Sequence, residues 1–312
     1  MRKKHGKIII FFILLVALLG VIDFASMNEP WRKVLAKYTD SEEFISVNVG
    51  ASEIKPYIEK VSTPDNTSIL IIGDSVCKQM TDELQQYNDN MCITGSNAAI
   101  AMTGQYILAR KYIENHPKAT DVYMFLLPGS LQVTFDTQWG YQYTVMPFVE
   151  TDTLKLLDDN TIEAMESVYG AFFMKSFVVK VIDKSAINRK IYLNMLADSK
   201  EGYLQKTSYE IAEQYIKKIY DLCQENDIKL HLYPCPVVES QRESIENMRE
   251  EYSKTWLCTK FPDYLDNVLF YSDEQTGDGV HFGGEYASTK HYNEKIREVF
   301  KGSKLLEELC FE

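Results

Sequence analysis

The stretch Ser68 to Gln79 reads SILIIGDSVCKQ, and the reading of the whole chain starts there. Ile69, Leu70, Ile71 and Ile72 form a short apolar run of buried-strand type. Gly73-Asp74-Ser75 ends the run, and a helical pattern starts at Val76, with Met80 and Leu84 on one side. A buried strand that enters a tight turn and then a helix exposes the turn residue, here Ser75. It also places that residue beside the free amides of a helix N-terminus, which suit an anionic intermediate. The same turn has a plainer reading, in which Asp74 and Ser75 do no more than cap the helix.

Strand and helix patterns alternate outward from this turn. Met91 to Thr94 reads as a second strand ending in Gly95-Ser96-Asn97, and Ala98 to Asn115 as a helix. Thr120 to Leu127 is a strong strand that runs into Pro128-Gly129-Ser130-Leu131-Gln132. Later come an amphipathic helix over Tyr209 to Asn226, a strand over Ile228 to Tyr233 and a polar helix over Ser240 to Lys254. A short strand over Asn267 to Tyr271 and a closing helix over Glu285 to Lys301 complete the pattern. Such alternation predicts an α/β fold with a parallel sheet. Sites in these sheets gather at the carboxyl ends of the strands, where Ser75, Gly95 and Gly129 all fall.

A second stretch, Asp278-Gly279-Val280-His281-Phe282, supplies what a serine needs. A neutral hydroxyl is a poor nucleophile without a base, and His281 with Asp278 three residues before it offers the base and its orienter. The other histidines compete poorly. His5 precedes the first apolar run, His116 ends a helix beside Pro117, His231 lies within a strand pattern and His291 lies on the closing helix.

The pair Gly73-Asp74-Ser75 and Asp278-Gly279-Val280-His281 resembles the SGNH or GDSL hydrolase superfamily, over roughly Ser68 to Lys304. With the single N-terminal apolar segment, the chain looks like the anchored SGNH-like proteins of surface-polymer acylation, the DltD, AlgJ/AlgX and PatB groups. The resemblance implies a three-layer α/β sandwich with a helical insertion at about 134–200. It implies a triad of Ser75, Asp278 and His281, and an oxyanion hole built from the Ser75 and Gly95 amides. The superfamily's third block, Gly-x-Asn-Asp, has no counterpart after Leu127, so Ser130, Gln132 or Asn97 would have to supply a further donor. The implied activity is transfer of an acyl group, acetyl by analogy, to a surface glycan or related polymer. A membrane-bound O-acyltransferase-like partner would deliver the group. A stand-alone surface carbohydrate esterase and a non-catalytic scaffold of the same fold are the alternatives.

Length, charge and the N-terminus frame these expectations. The 312 residues suffice for one large domain, and a net charge of -12 argues against nucleic acid, whose phosphates call for a basic surface. Arg2, Lys3, Lys4 and Lys7 precede an uninterrupted apolar run from Ile8 to Ile22. That order predicts a single-pass plasma-membrane anchor over 8–26, with a cytoplasmic tail over 1–7 and the body outside the cytoplasm. A cleaved signal peptide also fits the length. The absence of a small-x-small cleavage site favours the anchor. Residues 27–62 read as a juxtamembrane spacer with an edge strand over Glu42 to Val49, and 63–312 as the main domain.

Of the six cysteines, Cys77 with Cys92 and Cys235 with Cys258 are plausible bridges, and buried free thiols are the alternative; Cys223 and Cys310 complete the set. No HExxH, P-loop or GxGxxG pattern is present, so neither a metal nor a cofactor is expected. Phe135, Trp139, Tyr141 and Tyr143 suit either a lid over a site or plain packing. Phe172, Phe173 and Phe177 mark an apolar side in a helical stretch.

Overall fold

The computed structural model describes residues 2–26, 49–81, 89–96, 101–135, 140–184, 192, 195–196 and 209–283. The expected edge strand before Val49, Asn97, Trp139, Cys310 and the closing helix Glu285 to Lys301 lie outside the described residues.

The chain begins with α1 (Arg2–Ser26) and resumes at α2 (Val49–Ser62). Then follow β1 (Ile69–Gly73), α3 (Ser75–Thr81), β2 (Met91–Ile93), α4 (Met102–Asn115) and β3 (Asp121–Leu126). A 3-10 turn over Pro128–Gln132 leads into a helical stretch. It holds a π-turn over Tyr141–Val145, α5 (Met146–Glu150), α6 (Asp159–Tyr169) and α7 (Ser176–Lys184). The chain returns through α8 (Glu210–Glu225), β4 (Lys229–Pro234), β5 (Val237–Val238), α9 (Arg242–Tyr252), α10 (Trp256–Lys260) and β6 (Phe270–Tyr271).

Strands β2, β1, β3 and β4 lie side by side in that order, all parallel. Because side chains alternate across a strand, each strand feeds two cores. Leu70, Ile72, Val122, Met124, Leu126 and Leu232 face a large core with Ile54 and Ile58 of α2, Ile107 of α4 and Ile216 of α8. Ile71, Tyr123 and Phe125 face a smaller core with Val76, Cys77 and Met80 of α3 and with Phe282. The chain leaves β1 toward β2 on one side and crosses back to β3 on the other. The crevice between the carboxyl ends of β1 and β3 is therefore the topological switch point, the usual place for a ligand. A second, two-stranded parallel sheet pairs β5 with β6.

Helix α2 falls in the stretch read as a spacer. Ile54, Ile58 and Val61, spaced for one helical face, are buried in the large core, and α2 packs on α4. Pro56 is exposed on the outer face of the helix, where its missing amide is tolerated.

One expectation is corrected here, and two alternatives that the sequence left open are decided. The correction concerns the transmembrane anchor over 8–26. Among the described residues no helix is long and apolar enough to cross a membrane. The apolar run from Ile8 to Ile22 is bounded by Lys7 and Asp23. At about 1.5 Å per residue it reaches roughly 22 Å, short of the ~30 Å of a hydrocarbon core. The single-pass plasma-membrane topology and the placement of the body outside the cytoplasm lose their basis with it.

The first open alternative, bridges or free thiols, concerns the cysteines. Cys77, Cys92, Cys223, Cys235 and Cys258 are all free thiols. Cys77 and Cys92 belong to the two different cores, one on each face of the sheet, so no bridge joins them. Cys235 is fully buried, and its thiol points to Asp74 rather than to Cys258. The second, a lid or plain packing, concerns the aromatic segment after β3. Phe135, Tyr141 and Tyr143 are buried core residues, not a lid. In the stretch that follows, Phe173 stacks on Tyr192, while Phe172 and Phe177 are exposed.

Candidate active site

Ser75 is the first residue of α3, directly after the turn that leaves β1. Asp74 fixes that turn. Its Oδ1 accepts the Val76 and Cys77 amides at 3.1 and 3.2 Å, and its backbone carbonyl accepts the Lys78 amide at 3.0 Å. Its Oδ2 accepts the Leu127 amide at 2.6 Å and the Ser130 hydroxyl at 2.8 Å. One carboxylate thus caps the helix and ties the turn after β1 to the turn after β3. Complete burial raises the Asp74 pKa, against the pull of these donors. Asp74 engages the Val76, Cys77 and Lys78 amides of the helix start, and not that of Ser75.

Asp278 and His281 share one loop. Asp278 Oδ1 accepts the Val280 and His281 amides at 2.9 and 2.8 Å, an Asx turn that needs the carboxylate two and three residues ahead of those amides. Its Oδ2 is left for the imidazole and lies 2.7 Å from His281 Nδ1. Gly279, at φ +77, gives the loop the left-handed residue it turns on. Burial works to raise the Asp278 pKa, but the His281 amide, the His281 ring and the Val280 amide together hold it well below the usual carboxylate range.

His281 Nε2 lies 2.6 Å from Ser75 Oγ, across 206 residues of sequence. An ionised carboxylate only accepts, so the proton on the Asp278 side belongs to Nδ1 and the Nε2 lone pair faces the serine hydroxyl. Ser75 is 8% exposed, whereas the side chains of His281 and Asp278 are 36% and 57% exposed. The serine is nearly enclosed, and the histidine faces water.

The structure separates the other expected site residues. Gly95 belongs beside the helix start: a Cβ built on it would sit 2.7 Å from the Lys78 backbone nitrogen. Only a glycine lets the end of β2 come so near. The Ser130 hydroxyl donates to Asp74, which takes the proton an oxyanion would need. Gln132 lies against Tyr209, a buried phenol whose pKa is pushed up to about 12. A second Asp–His pair, Asp121 Oδ1 with His231 Nε2 at 2.8 Å, sits at the amino end of the sheet, where His231 stacks on Tyr123. That is the end away from Ser75, and the pair holds a ring against the sheet face.

No family model, curated protein or solved structure matches the chain. The resemblance to the SGNH or GDSL superfamily is corrected accordingly, because two short motifs do not amount to a match along the chain. The implied assignment to anchored polymer-acylation proteins goes with it. So do the membrane-bound O-acyltransferase-like partner and the surface glycan, which rested on that resemblance and on the anchor. The geometry of Ser75, His281 and Asp278 is independent of any family.

Proposed function

We propose that the protein is a serine-dependent esterase or acyltransferase with Ser75 as nucleophile, His281 as general base and acid, and Asp278 as the orienting carboxylate. The observation that carries this reading is the chain of two hydrogen bonds, Ser75 Oγ to His281 Nε2 at 2.6 Å and His281 Nδ1 to Asp278 Oδ2 at 2.7 Å. Ser75 Oγ attacks the ester carbonyl carbon while its proton passes to Nε2. Negative charge gathers on the carbonyl oxygen, beside the Ser75 amide and the neighbouring Gly95 backbone. The C–O bond to the leaving alcohol breaks, and the alcohol takes the proton from Nε2, leaving an acyl-serine. Water or a second alcohol then repeats the sequence in reverse. The open flank of His281 and Asp278 favours water as the acceptor, and hence hydrolysis.

Intact-mass measurement after incubation with an activated acetyl ester tests the reading. Wild type is expected to gain one acetyl group and Ser75→Ala none. An adduct that persists in Ser75→Ala, or no adduct on wild type with any small acyl donor, would remove Ser75 from the role. Product analysis with and without an added alcohol then separates hydrolysis from transfer.

A further inference from the structure

The loop that carries Asp278 and His281 is exposed, and its own Asx turn fixes its shape but not its place. Three side chains outside the triad grip three successive carbonyls of this loop. Gln241 Nε2 donates to the Gly279 carbonyl at 2.9 Å, the Tyr271 hydroxyl to the Val280 carbonyl at 3.0 Å and the Thr276 hydroxyl to the His281 carbonyl at 2.7 Å. Thr276 belongs to the loop's own hairpin, where it bridges Phe282. Gln241 and Tyr271 come from elsewhere. Tyr271 is the last residue of β6, and Gln241 ends the 3-10 turn that follows β5, β6's partner strand. The two-stranded sheet therefore delivers both donors to one loop, and a contact between Ser240 and Asp273 joins the segments beyond its strands. Tyr271 is held in turn, its ring stacked on Phe282 at 4.3 Å.

We propose that Gln241 and Tyr271 are positioning residues that set the reach of His281 toward Ser75. The inference rests on the reading of Ser75 as nucleophile. The bond from Nε2 to Oγ closes between a buried turn and an exposed loop, so an ångström of loop drift opens it. Neither Gln241 nor Tyr271 touches the reacting atoms. Their effect belongs to the acylation rate rather than to substrate affinity.

The test compares wild type with Gln241→Glu and Tyr271→Phe. The first keeps the side-chain shape and removes the donor; the second keeps the stacked ring and removes only the hydroxyl. Labelling of Ser75 by an alkyl fluorophosphonate reports the attack step. The downfield Nδ1 proton resonance of His281 reports the ring's seat. Gln241→Glu is expected to slow labelling about 10- to 100-fold, and Tyr271→Phe also to slow it. KM for a soluble ester should stay unchanged, Tm near wild type, and the His281 resonance should broaden in both variants. Wild-type labelling rates and an unmoved resonance in both variants would overturn the proposal. Failure of wild type to label at all would instead overturn the nucleophile reading. The resonance would then still decide whether these two residues seat the imidazole.

Discussion

At the scale of single residues, Asp278 does two jobs with two oxygens, and this makes a substitution there informative. Asp278→Asn keeps one acceptor oxygen and puts an amide donor in place of the other. Either the loop amides or the imidazole Nδ1 proton then meets a donor. The expected result is a fall of about 10³- to 10⁴-fold in the rate of Ser75 acylation, as for a triad whose imidazole is left in the wrong tautomer, read by stopped-flow with the activated ester. The pH dependence has a definite sign. A carboxylate whose pKa is lowered by folding stabilises the fold above its ordinary range, and that contribution is lost on acidification. The gap in Tm between wild type and Asp278→Asn should be present at pH 7 and close as the pH falls below about 4. The local logic of this loop was legible in the sequence, because an Asx turn and a His three residues on are short-range facts. Ser130 was marked as a donor, but its partner was not legible. Its bond to Asp74 spans 56 residues and depends on β1 lying beside β3. Gln241 and Tyr271 were missed for the same reason, since nothing in their own neighbourhoods marks them as donors to a loop.

At the scale of elements, the end of β2 meets the first turn of α3 in a close backbone approach beside the site. Adding a methyl group in Gly95→Ala would drive Cβ against the Lys78 nitrogen and Cα at 2.7 and 2.9 Å. These are backbone atoms of a helix and cannot swing aside. The expected loss of stability is about 1–3 kcal/mol, measured by chemical denaturation. Slower labelling of Ser75 should accompany it, because the displaced strand end lies against the helix turn that carries Ser75. The strand-turn-helix pattern at Ser68 to Gln79 was readable from the run of isoleucines and the glycine that ends it. Helix α2 was hidden by Pro56, a residue that argues against a helix interior unless it is known to lie on the outer face. The spacing of Ile54, Ile58 and Val61 was the signal that outweighed it.

At the scale of the whole molecule, α2 is part of the domain that carries the site. Ile54 is fully buried in the large core, so Ile54→Ala is expected to destabilise the fold by about 2–5 kcal/mol. The check is whether its thermal unfolding remains one cooperative transition that shifts as a unit. A separate, earlier transition for the N-terminal part would show α2 to be an appendage. The parallel sheet was readable from alternation alone. The placement of the site at the β1–β3 switch point needed the strand order, which no local pattern encodes. The separation of 206 residues between Ser75 and His281 also has a consequence during synthesis. At roughly 5–20 residues per second, about 10–40 s pass between the translation of Ser75 and that of His281. Through that interval the nascent chain carries an ordinary hydroxyl. On the proposed function, Ser75 gains its base only once the loop of His281 has closed on it, so a chain cut short before His281 by premature termination or by a protease would be chemically silent.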